Sequence, residues 1–419
     1  MNQQQYVDQL ASNVQRAARS LRSLNSAVRD QVLRRVATLL REKTPEILSA
    51  NVLDLQQAAS LGLSKAMVDR LTLNESRIAD MATGVEEIAS FPDPLQHVLE
   101  SRTMSNGAQL ERISTPIGTV LFIYESRPNV TIDGGALCFK SGNAVILRGG
   151  KESLASSAIL AQIFQSALVE AGIDPAAVQL VDTPDREVVR LLLQRNDALD
   201  LVIPRGGESL IRAVVEQSKV PVIKHYKGVC HIFVDKTADL QKAGPLLINA
   251  KVQRPSACNA METLLLHREL GSESIQNILR LLVQNGVELH GCEESCRLEP
   301  SVRPIENTDE YHTEYLDLRL SVKILSGVQE AVDHIEKYSS KHTESILAEA
   351  KEVQEYFLAN VDSSSVMVNA STRLADGGVY GLGAEVGIST DKLHARGPMG
   401  VESLTTYKWI LRGNGQVRK

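Results

Sequence analysis

Between residues 117 and 203 four apolar runs, 120–123, 145–147, 178–181 and 199–203, alternate with helical stretches such as 153–170 and 187–194. Strands this continuously apolar leave no polar face for water, so both faces of their sheet must be covered. Strand–helix alternation therefore restricts the chain to parallel βαβ units, an α/β fold. In open parallel sheets ligands sit beyond the carboxyl ends of the strands. The loops after Ile123, Leu147, Val181 and Ile203 are where chemistry is expected, and all four are polar or glycine-rich.

The flanking regions follow different periods. Residues 1–90 read as helices, with Thr44 as N-cap and Pro45 at the first helical position, Gly62 as a stop, and Ser64 and Asn74 as further N-caps. The helical pattern ends around Pro92 and Pro94. From Val98 to Ile113 the chain turns through Asn106-Gly107, a strong hairpin signal. After Val234 a helix is expected over 240–251. Beyond it, strands at 263–266, 318–325 and 366–368 alternate with helices at 274–284 and 329–338. A second α/β domain thus begins near Cys258.

That helix leads into Asn249-Ala-Lys-Val-Gln-Arg-Pro-Ser-Ala-Cys258-Asn-Ala-Met-Glu-Thr-Leu. A small-residue turn holds one cysteine, with Lys251 and Arg254 just upstream. Pro255 and Ser256 suit a tight turn that presents the thiol, and nearby cations favour a thiolate nucleophile. The plainer alternative is a buried cysteine acting as a small hydrophobe.

Composition narrows the function. A length of 419 residues calls for more than one domain. A net charge of −6 argues against general binding of nucleic acid or a membrane surface. No apolar run approaches the ~20 residues a bilayer demands, and the N-terminus lacks the order of a signal peptide. The odd count of five cysteines does not suit a disulfide framework, so reduced thiols and a cytoplasmic setting are expected. His290-Gly-Cys292-Glu-Glu-Ser-Cys296 holds metal-ligand types without a second pair at zinc spacing, and no metal is expected. No G-x-G-x-x-G follows any expected strand. Gly381-Leu-Gly383-Ala-Glu-Val-Gly387 has the wrong spacing and reads as a loop.

Several longer segments carry a resemblance. The cysteine segment, Ile117-Gly-Thr-Val-Leu-Phe-Ile-Tyr-Glu-Ser-Arg-Pro-Asn129, Gly142-Asn-Ala-Val-Ile-Leu-Arg-Gly-Gly-Lys151, His312-Thr-Glu-Tyr-Leu-Asp317, His334-Ile-Glu-Lys-Tyr-Ser-Ser-Lys-His342-Thr-Glu-Ser-Ile346 and Leu393-His-Ala-Arg-Gly-Pro-Met-Gly400 stand in one order. Together they resemble the aldehyde dehydrogenase superfamily, in particular its proline-biosynthetic branch acting on glutamyl phosphate. The likeness spans nearly the whole chain. Leu325 stands where that branch's signature usually has valine, a conservative departure.

The resemblance implies an aldehyde-dehydrogenase-like fold with two parallel-sheet α/β domains and a β-hairpin oligomerisation arm. Residues 1–97 and 116–254 would bind NADP, 98–115 and 400–419 would form the arm and tail, and 255–399 would be catalytic. The reaction implied is NADPH-dependent reduction of L-glutamyl 5-phosphate to L-glutamate 5-semialdehyde and phosphate through a thioester on Cys258. A close alternative is an oxidative aldehyde dehydrogenase for another aldehyde, and a more distant one is a non-catalytic relative that keeps the fold. Asn129 and the Cys258 N–H would stabilise the oxyanion, although Asn129 also reads as a helix cap. Arg148 and Lys151 would face a 2′-phosphate, favouring NADP(H), unless Lys151 is simply solvated. Arg205, Gly206 and Gly207 would approach the pyrophosphate and Glu314 the nicotinamide ribose. The segment Lys224-His225-Tyr226-Lys227-Gly228 holds no carboxylate where oxidising relatives activate water. His225 would be a general acid or an ordinary histidine. Arg127 and Arg254 would grip substrate phosphate or carboxylate, or form structural ion pairs. A homo-oligomer and a functional pairing with glutamate 5-kinase are also implied.

Overall fold

The computed structural model describes residues 2–382 and 385–418, so Gly383 and Ala384 of the glycine-rich segment lie outside the described residues. The chain divides into two compact units, Met1–Lys224 with Gly381–Gly387 and Met399–Lys419, and His225–Tyr380 with Ile388–Pro398.

The first unit opens with helices. In Gln3–Leu21, Val7, Leu10, Ala11, Val14, Ala17, Ala18 and Leu21 are buried, the spacing of one helical face. Asn2 caps it by accepting from the Gln5 N–H. Ser64 and Asn74 cap Lys65–Leu71 and Glu75–Ser90 as expected. Thr44 differs: Lys43 is the N-cap of Thr44–Ser60, and the Thr44 hydroxyl donates back to the Leu40 and Arg41 carbonyls.

The four expected strands form one parallel sheet in the order Val178–Leu180, Ala144–Arg148, Thr119–Tyr124, Leu201–Arg205. The chain steps outward on one side of Thr119–Tyr124 and then crosses to its other side. The switch point therefore lies between Thr119–Tyr124 and Leu201–Arg205. A separate antiparallel sheet joins Val98–Thr103, Gln109–Pro116 and Thr405–Arg412. Gly107, at φ 83, makes the turn that Asn106-Gly107 signalled.

The second unit holds a seven-stranded parallel sheet, in the order Arg303–Pro304, Glu288–Gly291, Arg319–Leu325, Met261–His267, Cys230–Val234, Thr343–Leu347, Ser365–Val368. Ala243, Leu247, Ala250, Ile275, Leu279 and Leu282 of helices Leu240–Val252 and Ser272–Gln284 join one core on this sheet. Ala331 and Ile335 of Val328–Tyr338 and Phe357 of Lys351–Asn360 join another. This unit begins at His225, earlier than the expected residue 255. The reason is strand Cys230–Val234, which is buried throughout and pairs with Met261–His267 and Thr343–Leu347.

Candidate active site

The strand order brings three loops of the second unit together. Thr343–Leu347, Cys230–Val234 and Met261–His267 are neighbours in the sheet, and His342, Gly228 and Cys258 stand just before their first residues. The cluster thus lies at the amino ends of these strands, opposite to the usual rule for open parallel sheets.

Cys258 is half-buried in the turn between Leu240–Val252 and Met261–His267. Two backbone bonds shape that turn, Ala257 N–H to Arg254 O at 3.1 Å and Ala260 N–H to Ala257 O at 2.9 Å. Asn259, buried, donates to Ala375 O at 2.9 Å and moors the turn from behind. Gly228 lies directly on it, since a Cβ there would come within 1.7 Å of Cys258 O. The Gly228 loop is braced in turn by Gly228 N–H to Glu314 Oε1 at 2.8 Å, Lys227 Nζ to His312 O at 2.6 Å and Val229 N–H to Ser340 Oγ at 2.8 Å. Glu314 therefore holds the loop against the Cys258 turn. The neighbouring thiol, Cys230, is fully buried, and burial pushes its pKa well up, which keeps it unreactive.

Two histidines flank Cys258. The His225 Nδ1 stands 3.1 Å from Ile388 O. A carbonyl oxygen only accepts, so Nδ1 is the donor of this bond. His342, buried, has Nδ1 2.8 Å from Thr343 Oγ1, and its ring meets that of His225 edge-on with centroids 5.7 Å apart. One ligating atom from each of His225, Cys258 and His342 lies within 4.8 Å of the others. His334, the other end of the segment that contains His342, plays a different part. It packs on Tyr311 and Tyr338, with centroids 4.8 and 4.5 Å away. Burial, followed by nearby positive groups, pushes its pKa down to about 2, so it is a neutral core residue.

The cations near Cys258 are only partly those expected. Lys251 is buried and paired with Glu262 at 2.7 Å, so its charge is committed there. Burial drives the Lys251 ammonium down and the Glu262 carboxyl up. Arg254 is exposed. Arg373, which sequence reasoning missed, donates Nε to Gln253 Oε1 at 2.8 Å. Burial and then the Arg254 charge lower its pKa, while the Cys258 sulfur acts in the opposite direction. Arg254 and Arg373 are thus neighbouring cations, and Arg373 lies within electrostatic reach of the thiol. Its distance along the chain hid it from the sequence.

In the first unit the other expected residues collect at the carboxyl ends of its strands. Asn129 is the first residue of helix Asn129–Lys140, and its Nδ2 donates to Asp133 Oδ2 at 2.9 Å without capping the helix. Burial pushes the Asp133 carboxyl up to about 6 against the bond from Asn129. Arg127 occupies the loop just ahead of that helix. Beside it, Ser126 has φ 44, and its N–H and O–H both bond Glu152 Oε1 at 2.7 Å. This unusual conformation is held by a buried carboxylate.

Arg148 ends strand Ala144–Arg148 and donates Nη2 to Pro184 O at 3.3 Å, while its buried Nε has no hydrogen-bond partner among the described residues. Burial lowers its pKa first, and the charge of Arg186 contributes, which places a second cation nearby. Lys151 is exposed. Glu152, the carboxylate of this loop, is turned inward onto Ser126. The loop therefore presents positive charge, which fits an anionic group such as a 2′-phosphate.

Across the switch point, Arg205 faces Glu385 at 3.5 Å. Gly207 caps helix Glu208–Gln217, but its N–H already donates to Glu125 Oε2 at 2.9 Å. An anion bound by Gly206-Gly207 would have to displace that carboxylate. His290, the histidine of the Cys292/Cys296 segment, bonds carboxylates on both ring nitrogens, Glu310 at 2.5 Å and Glu288 at 2.8 Å.

The sequence profile of the aldehyde dehydrogenase family matches residues 1–304. A gamma-glutamyl phosphate reductase from Thermodesulfovibrio yellowstonii is 45% identical over 419 residues, covering 100% of each chain. Another, from Moorella thermoacetica, is 47% identical over 403 residues, 96% of each. The crystal structure of a gamma-glutamyl phosphate reductase from Thermotoga maritima superposes with a TM-score of 0.96 at 42% identity, covering 99% of this chain and 100% of that one. An acetylating aldehyde dehydrogenase from Geobacillus thermoglucosidasius, 17% identical, shares the fold with a TM-score of 0.70 over 100% of this chain and 98% of its own.

Proposed function

Because the chain belongs to the aldehyde dehydrogenase family, and within it to the gamma-glutamyl phosphate reductases, we propose that this oxidoreductase reduces L-glutamyl 5-phosphate to L-glutamate 5-semialdehyde and phosphate with NADPH, as a step of proline biosynthesis. The observation that carries this reading is Cys258, half-buried on a braced turn with a cationic pair beside it.

Cys258 Sγ attacks the acyl carbon, the carbon–oxygen bond to phosphate breaks, and phosphate leaves. A nicotinamide cofactor, when bound, would supply hydride to the thioester carbon; the carbon–sulfur bond then breaks, returning the Cys258 thiolate and freeing the aldehyde. Arg254 and Arg373 favour the anionic substrate. The Cys258 N–H and Asn129 donate to the oxygen that becomes negative during attack. Arg148 and Lys151, with Arg186 near Arg148, bind the 2′-phosphate, and Arg205, Gly206 and Gly207 serve the pyrophosphate. Glu314 holds the nicotinamide ribose while bracing Gly228. His225 exchanges a proton with the substrate oxygen, and Arg127 is a further anion ligand.

Residues 1–97 and 116–224 make the cofactor domain, and the second unit, beginning at His225, the catalytic one. The three-stranded sheet is an oligomerisation arm. Tyr407, Trp409 and Leu411, alternate residues on one face, are about half exposed, and Arg112 lies over both aromatic rings at 4.9 and 5.8 Å. A cytoplasmic homo-oligomer paired functionally with glutamate 5-kinase completes the reading. Among the described residues no helix is long and apolar enough to cross a membrane.

The test is the reverse reaction, because the acyl phosphate hydrolyses on its own. Glutamate semialdehyde and NADP should give NADPH only when phosphate is present. Oxidation without phosphate would indicate the alternative, an oxidative dehydrogenase for another aldehyde.

A further inference from the structure

We propose that His225, Cys258 and His342 form a reversible binding site for a borderline-soft divalent cation of the zinc class, which silences the enzyme by capturing its thiol. Among the described residues, this trio alone gathers three metal-ligating side chains, with the chosen donor atoms within 4.8 Å of one another. The gathering is built into the topology, since the three loops precede adjacent strands of one sheet.

A tetrahedral zinc ion takes sulfur at about 2.3 Å and nitrogen at about 2.0 Å, which sets donor–donor separations of roughly 3.3–3.6 Å. Side-chain movements on the order of 1 Å therefore close the site. One ligand is already oriented. His225 donates Nδ1–H to Ile388 O, the kind of outer bond that commonly fixes the orientation of a metal-ligating imidazole and leaves Nε2 as the nitrogen to ligate. His342 is buried and held at Nδ1 by Thr343 Oγ1, while His225 and Cys258 are half-buried and open to entry. Two nitrogens and one thiolate match the zinc class, and the hard cations calcium and magnesium prefer oxygen.

On binding, the Cys258 S–H bond breaks, a sulfur–metal bond forms, and the proton passes to solvent, with no change of oxidation state. Sulfur bound to the metal no longer attacks an acyl carbon. The inhibitory half of this proposal rests on Cys258 being the nucleophile. The binding half rests on geometry alone.

Cobalt(II) replaces zinc as a coloured probe in the full-length protein. One equivalent should give a thiolate-to-cobalt charge-transfer band, and excess zinc should abolish it. The band should disappear in Cys258→Ser. Cobalt affinity should fall at least tenfold in His342→Ala and in His225→Ala, the latter covering the case where loss of buried His342 prevents folding. A Cys292→Ala/Cys296→Ala double variant should keep the band. Zinc should stop phosphate-dependent NADPH formation by the wild type, and EDTA should restore it. Absence of the band, or its persistence in Cys258→Ser, would overturn the site while leaving the turnover assay untouched. Binding at the trio without inhibition would overturn the silencing role and speak against Cys258 as nucleophile.

Discussion

At Gly228 a single methyl group would stand 1.7 Å from the Cys258 carbonyl oxygen, so backbone there must move to admit any side chain. Gly228→Ala should cost roughly 1–3 kcal/mol of stability through overpacking, and should shift the Cys258 turn as well. Urea unfolding checks the first effect and the rate of iodoacetamide labelling at Cys258 the second; an unchanged labelling rate would contradict the close approach. Asp133 gives a pH test. Its folded carboxyl is raised to about 6 from an ordinary value of 3.8. The folded state therefore holds the proton more tightly than the unfolded chain does. The stabilising contribution is full below about pH 4 and is lost as the pH rises through 6. Asp133→Asn should thus gain on the wild type by roughly 2 kcal/mol between pH 4 and pH 8, read as the difference in thermal unfolding. A constant difference across that range would refute it. At this scale the sequence displayed the thiol, Arg254 and Asn129, because they stand in one stretch or one recognisable segment. It hid Arg373 and His342, which come near Cys258 only through the fold. It also hid the Lys251–Glu262 pair, because burial of both side chains follows from packing rather than from spacing.

Elements were legible where their period was unbroken. Helix Ser272–Gln284 and strand Thr119–Tyr124 follow directly from periodicities of 3.6 and of continuous apolarity. Strand Thr343–Leu347 was not legible, because its Thr-Glu-Ser start is polar yet fully buried. There the Glu344 carboxylate accepts from the His231 N–H at 2.8 Å and from Ser363 at 3.2 Å, which satisfies what the pattern cannot show. The hairpin Val98–Thr103 and Gln109–Pro116 with Thr405–Arg412 makes a sheet apart from both parallel sheets. Deleting residues 103–110 should leave each subunit folded and shift the population toward smaller assemblies. Sedimentation velocity with circular dichroism checks both; an unchanged oligomer with the tip removed would rule out the arm.

For the whole molecule, the proposed cofactor residues Arg148 and Lys151 lie in the first unit and Cys258 in the second. Replacing Arg148 and Lys151 by alanine should raise KM for NADPH tenfold or more and leave NADH use nearly unchanged, since each charged hydrogen bond contributes about 1.5–3 kcal/mol and only the 2′-phosphate differs. Equal losses for both cofactors would defeat the assignment. The domain pattern was readable from strand–helix alternation, but its boundary was not. A cysteine turn inside the second unit looks, in sequence, like that unit's beginning.

The most direct measurement follows NADPH formation from glutamate semialdehyde, NADP and phosphate in Cys258→Ser and Cys258→Ala beside the wild type. A hydroxyl without an adjacent base is far less nucleophilic than a thiolate, so both variants should lose the activity while still binding NADPH. Cys292→Ala and Cys296→Ala should keep it, and iodoacetamide should modify wild-type Cys258 first. Substantial phosphate-dependent NADP reduction by Cys258→Ala would place the chemistry elsewhere.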